Sequence, residues 1–321
     1  MRQEYVVGLD LGGTQIRACL ADAQGEILSQ VRQPTLAREG PQGVMDRIKE
    51  AIHEVLQGVQ RNAVRSIGIA APGPLDPLTG MVIAPPNLPG WNDVPLSDIM
   101  SRSFDLPVFV NNDANLAGLA EHRFGAGRGT LDMIYLTIST GLGGGIICGG
   151  QLLLGAHGLA GEPGHTIVDP AGPPCGCGNA GCLEAMAAGP ALASYASELI
   201  RQGRGSSLAG HIAGGEELTG EMVGEAAEAG DGVALESVRR AAYYLGIGVL
   251  NLIHIFDPQM VILGGGVTKL GPLLFDPVRA WVLGHAMAPV QRYTPIVAAA
   301  LGDDVGLLGA VAWAIDQFEA Q

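Results

Sequence analysis

At 321 residues the chain is long enough for two lobes, because a single hydrophobic core stops growing at roughly 250 to 300 residues. Its composition of 47% hydrophobic and 16% charged residues, with 49 glycines, describes a globular protein rich in tight turns and excludes a disordered one. A net charge of −14, with 18 Lys and Arg gathered in no run, repels phosphate backbones and anionic lipid, so neither nucleic acid nor a membrane surface is expected as a partner.

The opening MRQEYVVGLD places Glu4 and Asp10 where a signal peptide needs an unbroken apolar core, and a cytosolic location is expected. YVVGLD, LGGT, IRACLAD, AQGE and ILSQV read as strand, glycine turn, strand, short turn and strand, a β-meander. Val44, Ile48, Ile52 and Leu56 then recur on one face and predict a helix from Pro41 to Leu56. SIGIAAPG is a strand running into a loop, LPVFVNND a second strand, and ANLAGLAEHRFG a helix that begins directly after Asp113.

MIYLTIS, TGLGGG, IICGG and QLLLG repeat the order of residues 5 to 31. Residues 133 to 161 carry no Asp, Glu, Lys or Arg, yet their glycines, Ser139, Thr140 and Gln151 argue for strands and turns against a bilayer span. AAYYLGIGVLNLIHIF predicts a buried helix, QMVILGGG a strand ending in a third glycine turn, and VGLLGAVAWAI a closing helix that packs back on the first lobe. The expected fold is a duplicated α/β one, each half presenting a glycine turn to a cleft. Residues 1–121 with the helix 304–321 form the first lobe, and 122–303 the second, which carries the loop 162–184.

Three strand ends bear glycines: Asp10-Leu-Gly12-Gly13-Thr14, Thr140-Gly141-Leu-Gly143 with the two glycines after it, and Gly264-Gly265-Gly266. Turns without Cβ let backbone N–H groups approach phosphate oxygens, and three of them beside Asp10 favour a nucleotide over plain hairpins. A Walker A loop is excluded because the only lysines, Lys49 and Lys269, do not follow glycine, and a Rossmann fingerprint fails at Ile146. The reading left is a nucleotide held by backbone amides with Mg²⁺ on its phosphates. Asp10 is the candidate Mg²⁺ ligand, directly or through water, with a solvated strand-end carboxylate as its alternative.

GHTIVDPAGPPCGCGNAGCLE packs Cys175, Cys177 and Cys182 into eight residues, ten positions after His165. Three cysteines cannot pair among themselves, and the polar GCGNAGC is no core segment, so Cys₃His predicts a structural zinc site. Cys19 and Cys148, in apolar strands, read as core residues.

DLGGT, APGPLD, NNDAN, TGLGGG, the GEPGH to CLEA segment and LGGG together resemble the ROK family of repressors and sugar kinases, within the actin-like ATPase superfamily. The resemblance covers nearly the whole chain. It implies two actin-like (ribonuclease H-like) lobes, ATP with Mg²⁺, a hexose substrate, most closely a glucokinase activity, and a homo-oligomer, dimer or tetramer. Asp113 alone reads as a helix cap; the resemblance makes it the general base, with Asn112 on a neighbouring hydroxyl. Glu162, His165 and Glu184 are implied as sugar-hydroxyl ligands, so His165 serves both metal and sugar. Asn87 and Gly73 complete the expected pocket, with a turn role as their alternative. An N-acetylhexosamine kinase or fructokinase, polyphosphate as donor, and a sugar-binding regulator without catalysis are the alternatives. DLGGT begins at residue 10, which leaves no space for the DNA-binding domain of the family's repressors.

Overall fold

The expected meander forms from β1 (Tyr5–Leu11), β2 (Gln15–Asp22) and β3 (Ile27–Pro34). β1 is buried on both faces and so takes a central place, paired antiparallel to β2 and parallel to β4 (Val64–Ala71). β3 alternates between half-buried and exposed, as an edge strand does. This computed structural model describes residues 4–287 and 294–320.

Helix α1 (Gly40–Val55) buries Val44, Ile48 and Ile52 of the predicted stripe against one face of this sheet, while Leu56, just past its end, is half-buried against the same core. A small three-stranded sheet follows, of β5 (Leu75–Asp76), β6 (Met81–Val82) and β7 (Val94–Pro95), then α2 (Leu96–Phe104), β8 (Val108–Asn112) and α3 (Asp113–Arg123). The first sheet runs β3-β2-β1-β4-β8.

The second sheet has the same plan, in the order β11-β10-β9-β12-β13. Its strands are β9 (Met133–Ile138), β10 (Leu142–Cys148), β11 (Gln151–Leu152), β12 (Met260–Gly264) and β13 (Ile296–Ala298). Between β11 and β12 lie α4 (Leu183–Ala187), α5 (Gly189–Arg201), α6 (Ala209–Ala213), α7 (Gly220–Glu228) and α8 (Gly232–Phe256), and α9 (Pro272–His285) precedes β13.

The closing helix α10 (Val305–Glu319) covers the first sheet on the face opposite α1, as expected. Glycines in the strands make this possible. A Cβ on Gly68 would stand 1.9 Å from the carbonyl oxygen of Ala310, so only glycine lets the helix backbone come this close. Contacts divide the chain into one unit that runs up to Gly129 and includes Leu152–Ala160 and the chain from Ala300, and another of Thr130–Gln151 and Gly161–Ala299. Relative to the boundary read from the sequence at 121/122, α3 runs on to Arg123 and the segment 152–160 groups with the first unit.

Three expectations need correction. TGLGGG is not all turn: Gly143 and the two glycines after it lie inside β10, opposite Thr137, Leu136 and Tyr135, and the turn is confined to residues 139–141. Cys148 is exposed at the end of β10, while Cys19 is buried as expected. Helix α8 is not enclosed: Tyr243 and Ile255 keep 43% and 70% of their surface exposed, because only one side of the helix packs on α4, α5, α7 and α9. No helix among the described residues is long and apolar enough to cross a membrane.

Candidate functional site

In the first unit β1, β4 and β8 run parallel, and their carboxyl ends share one edge of the sheet: Asp10 pairs with Ala70, and Ala71 with Asn112. Loops leaving such an edge are where open α/β sheets bind ligands. Gly12 N–H donates to the Gln15 carbonyl at 2.9 Å and closes the first glycine turn. Thr35, fully buried, braces it twice, its N–H on the Thr14 carbonyl at 2.8 Å and its hydroxyl on the Gly12 carbonyl at 2.6 Å. Asn87 lies against the turn, 2.8 Å from where a Gly13 Cβ would stand.

Asp10 does not project alone. Arg17, its cross-strand partner in the β1–β2 ladder, donates Nε to Asp10 Oδ2 at 3.2 Å and Nη2 to the same oxygen. Any cation at this carboxylate therefore shares it with a guanidinium, and Oδ1 is the oxygen Arg17 does not take.

At the end of β8 the two readings of Asp113 separate. The helix cap is Asn112: its Oδ1 accepts from Ala114 N–H at 3.0 Å and Asn115 N–H at 3.2 Å. Asp113 is the first helical residue, exposed, with Oδ1 accepting its neighbour Ala114 N–H at 2.8 Å. Gly73 completes the group, since a Cβ there would sit 3.3 Å from Asn112 Nδ2. Asn111, buried beneath, turns its Oδ1 to the Asn112 N–H at 2.7 Å and so fixes where the cap begins.

The second unit gathers its residues at the same edge of its own sheet. Ser139 N–H closes the β9–β10 turn on the Gly141 carbonyl at 2.8 Å. Gly264 ends β12, and Gly265 adopts φ 87° pressed under Ile138, where a Cβ would stand 2.4 Å from the carbonyl oxygen. Gly266 opens the following turn of helix beside Ser139. Glu184, in the first turn of α4, accepts the Leu142 N–H on Oε2 at 3.0 Å, and that oxygen would lie 2.8 Å from a Gly141 Cβ. A residue expected to grip sugar thus also supports the turn that contains Thr140 and Gly141.

His165 ends a short helical turn, Pro163–His165, that lies directly on β10. A Cβ on Gly164 would meet the Leu142 carbonyl oxygen at 1.9 Å, and one on Gly144 would meet Pro163 at 2.7 Å. The β10 glycines therefore let this turn approach. Glu162, exposed at its surface, has its carboxyl pushed up by the desolvating protein around it, with His165 opposing and Glu184 adding to the shift.

The ligand atoms of His165, Cys175, Cys177 and Cys182 all lie within 4.8 Å of one another. Cys175 Sγ is 3.7 Å from His165 Nδ1, and Cys177 Sγ 3.6 Å from Cys182 Sγ. A tetrahedral centre with metal–sulfur bonds of about 2.3 Å has edges of about 3.8 Å, so four such ligands fit one divalent ion. Without a cation the thiols ionise unequally. The Asn179 N–H brings Cys177 down to about 7, whereas burial and the neighbouring thiols push Cys182 up to about 12. A bound cation resolves this by favouring every thiolate. Because Nδ1 faces the sulfurs, Nε2 is the His165 nitrogen available to a second ligand.

A cavity of about 570 Å³ in this unit is lined by Thr140, Cys175, Glu184, Pro190, Ser194 and Arg240 among others. Arg240, stacked 4.5 Å from the Tyr195 ring centroid and 5.2 Å from that of Tyr244, was not singled out by the sequence, nor were Arg17 and Thr35. Arg17 had a signal, since its spacing from Asp10 across a tight turn makes the two face each other; Thr35 and Arg240 had none.

The sequence model of the ROK family matches residues 6–317. A glucokinase of Thermotoga maritima is 40% identical over 306 residues, 95% of each chain. Among solved structures, a ROK hexokinase from Thermus thermophilus superposes with a TM-score of 0.83 at 38% identity, over 99% of this chain and 100% of that one. A ROK family glucokinase from Streptomyces griseus, in complex with glucose and AMPPNP, gives 0.79 at 37% identity, over 97% and 99%.

Proposed function

Because the chain belongs to the ROK family, we propose that it is an ATP-dependent hexose kinase that phosphorylates glucose to glucose 6-phosphate. The observation that carries this reading is Asp113: a carboxylate set at the start of α3 by the Asn112 cap, at the carboxyl edge of three parallel strands, of which β1, the next but one to β8, leads through Asp10 into a glycine turn. The actin-like fold expected from the sequence is that of the matched ROK structures, and the S. griseus relative binds both glucose and an ATP analogue.

In this reading Asp113 accepts the proton of the attacking hydroxyl, and Asn112, through its amide nitrogen, binds a neighbouring hydroxyl. Glu162, His165 Nε2 and Glu184 hold further hydroxyls, so an analogue lacking one leaves a polar group unmatched. Gly73, beside Asn112, and Asn87, against the first glycine turn, contribute further contacts to the sugar. Backbone N–H groups at Gly13, Thr14, Thr140, Gly141 and Gly264–Gly266 receive the phosphates, with Gly12 shaping the turn, since its N–H is bonded to Gln15, and Gly143 contributing only as part of β10. When bound, Mg²⁺ neutralises the phosphate oxygens, and Asp10 orients it. The ion of the Cys₃His cluster is zinc, which favours sulfur and nitrogen in tetrahedral array; four protein ligands leave it no open position, so it clamps the loop and takes no chemical part. The cysteines stay unpaired in a cytosolic enzyme, which works as a homo-oligomer, dimer or tetramer.

The test is a coupled assay over a panel of hexoses with ATP or polyphosphate. Glucose with ATP should give the highest kcat/KM. A preference for N-acetylmannosamine or fructose would overturn the substrate, and phosphorylation of no hexose with either donor would leave a sugar-binding regulator.

A further inference from the structure

The segment from His165 to Cys182 carries all four candidate metal ligands, and its own backbone already ties its two arms together. The N–H groups of Val168 and Asp169 both donate to the Gly181 carbonyl, at 2.9 and 3.2 Å, and Leu183 N–H donates to the Thr166 carbonyl at 2.9 Å. Farther out, Gly181 N–H reaches the Pro173 carbonyl at 2.8 Å, and Cys175 N–H the Asn179 carbonyl at 2.7 Å. Asp169 is the pivot. Its carbonyl takes the Gly172 N–H at 2.8 Å, and a Cβ on Gly181 would stand 1.5 Å from that same oxygen. Only glycine, here at φ 68°, lets the two arms close.

Bonds within a loop hold its shape but not its place. The Asp169 side chain joins this one to the body of the same unit: Oδ1 accepts the Ala171 N–H at 3.0 Å, and Oδ2 accepts the hydroxyl of Tyr244, in the middle of α8, at 2.8 Å. Burial first, and then the Asp169 carboxylate, push the Tyr244 hydroxyl above its usual range, so it keeps its proton and donates. The Tyr244 ring is itself held by α8. Arg240, one turn earlier, places its guanidinium 5.2 Å from the ring centroid and Nη2 3.8 Å from Met186 Sδ on α4, and Tyr243 meets the ring edge-on at 5.0 Å.

We infer that Asp169 and Tyr244 are positioning residues that order the ligand loop before any metal arrives. Neither is among the four ligands. They act through His165, four residues before Asp169, and through Cys182, whose neighbour Gly181 lies against the Asp169 carbonyl. A site that is already folded loses less freedom on binding, so the tie raises metal affinity without adding a ligand. The inference deepens the reading of the cluster as a zinc clamp, and rests on that reading only for the identity of the ion.

Tyr244→Phe tests it by removing the hydroxyl and keeping the ring. In competition with a chromophoric chelator, the zinc dissociation constant of the full-length variant should rise roughly tenfold above that of the wild type. Amide exchange on the metal-free proteins gives a second readout that involves no ion: residues 168, 169 and 181 should stay protected in the wild type and exchange faster in the variant, with β9 unchanged in both. Asp169→Asn should retain most of the zinc affinity that Asp169→Ala loses, because an amide reaches Ala171 with its oxygen and Tyr244 with its nitrogen. Zinc affinity within about twofold of the wild type in Tyr244→Phe, or exchange at 168, 169 and 181 that is equal in the two metal-free proteins, would overturn the inference. A lowered melting temperature alone would do the same, since it makes the bond a stabiliser only. Should Tyr244→Phe not fold, the Asp169 pair, in the loop itself, carries the same two readouts. If the wild type binds no zinc, the clamp reading fails on its own, and the exchange pattern still decides whether Tyr244 orders the loop.

Discussion

In the first unit the edge strand β3 runs eight residues, while its counterpart β11 in the second runs two. The sheets otherwise match in strand order, with β1 or β9 paired antiparallel to β2 or β10 on one side and parallel to β4 or β12 on the other. In the first unit the functional groups stand on strand ends, set by a ladder, a helix cap and a buried threonine. In the second, the glycine turns again stand at strand ends, but Glu162, His165, Glu184 and the three cysteines stand on a long excursion after β11, most of whose residues from 170 to 180 are exposed. A segment with so little core must be ordered another way, and in the proposed reading four metal ligands supply the order. In that reading similar sheets position chemistry by backbone pairing in one unit and by a metal clamp in the other.

The sharpest break in this comparison separates rate from grip. Asp113→Asn should leave the fold and glucose binding intact while kcat falls roughly 10²- to 10⁴-fold, since an amide cannot accept the hydroxyl proton. Titration calorimetry with glucose and a steady-state assay check both halves, and near-normal turnover would remove Asp113 from its role. Cys177→Ser should act on the opposite quantity. With a ligand lost, the KM for glucose should rise roughly 10- to 100-fold, with a much smaller change for ATP. Circular dichroism on the same preparation separates this from global unfolding.

Packing gives smaller effects. Gly68→Ala forces a Cβ into the Ala310 carbonyl under α10 and should cost about 1 to 3 kcal/mol in urea unfolding. Gly176→Ala, in the metal loop, has nothing within 4 Å of its Cβ and should stay within about 0.5 kcal/mol. Equal losses at the two positions would deny that the units are held differently.

The smallest expected difference lies in the helix caps. Asn112 caps α3 with an amide that does not titrate, whereas Asp231 caps α8 with a carboxylate. Burial raises the Asp231 pKa, but the N–H groups of Ala234 and Ser207 and the hydroxyls of Ser207 and Ser206 outweigh it and bring the group from 3.8 down to about 2. A depressed carboxylate stabilises fully above its unfolded value and loses that contribution as pH falls through the folded one. Asp231→Ala should therefore cost about 1 kcal/mol near neutrality, with the cost shrinking between pH 3.8 and about 2. The cost of Asn112→Ala should not change with pH in that window.

Much of this was legible in the sequence. The repeated strand order, the α1 stripe of Val44, Ile48 and Ile52, and the return of α10 to the first sheet follow from periodicity and apolar runs. The convergence of His165, Cys175, Cys177 and Cys182 followed from their spacing, which survives folding because the four are close in sequence. What the sequence hid depends on distance along the chain. Nothing in the glycine run of β10 tells a phosphate turn from a surface cleared for Pro163 and Gly164. Cys148 read as buried because its neighbours are apolar, yet it stands at the exposed end of its strand. Asp169 gave no signal because its partner Tyr244 lies far along the sequence, and Thr35 reads as a loop residue until its bonds to Gly12 and Thr14 are seen.

The contrast between a sheet-set carboxylate and a metal-set sugar grip is met most directly by metal analysis of the purified chain, coupled to glucose affinity before and after chelation. The account predicts about one zinc per chain, as a single Cys₃His site requires, and a loss of glucose affinity of roughly tenfold or more on its removal with nucleotide affinity nearly unchanged. Metal-free, folded protein that binds glucose as tightly as before would contradict it.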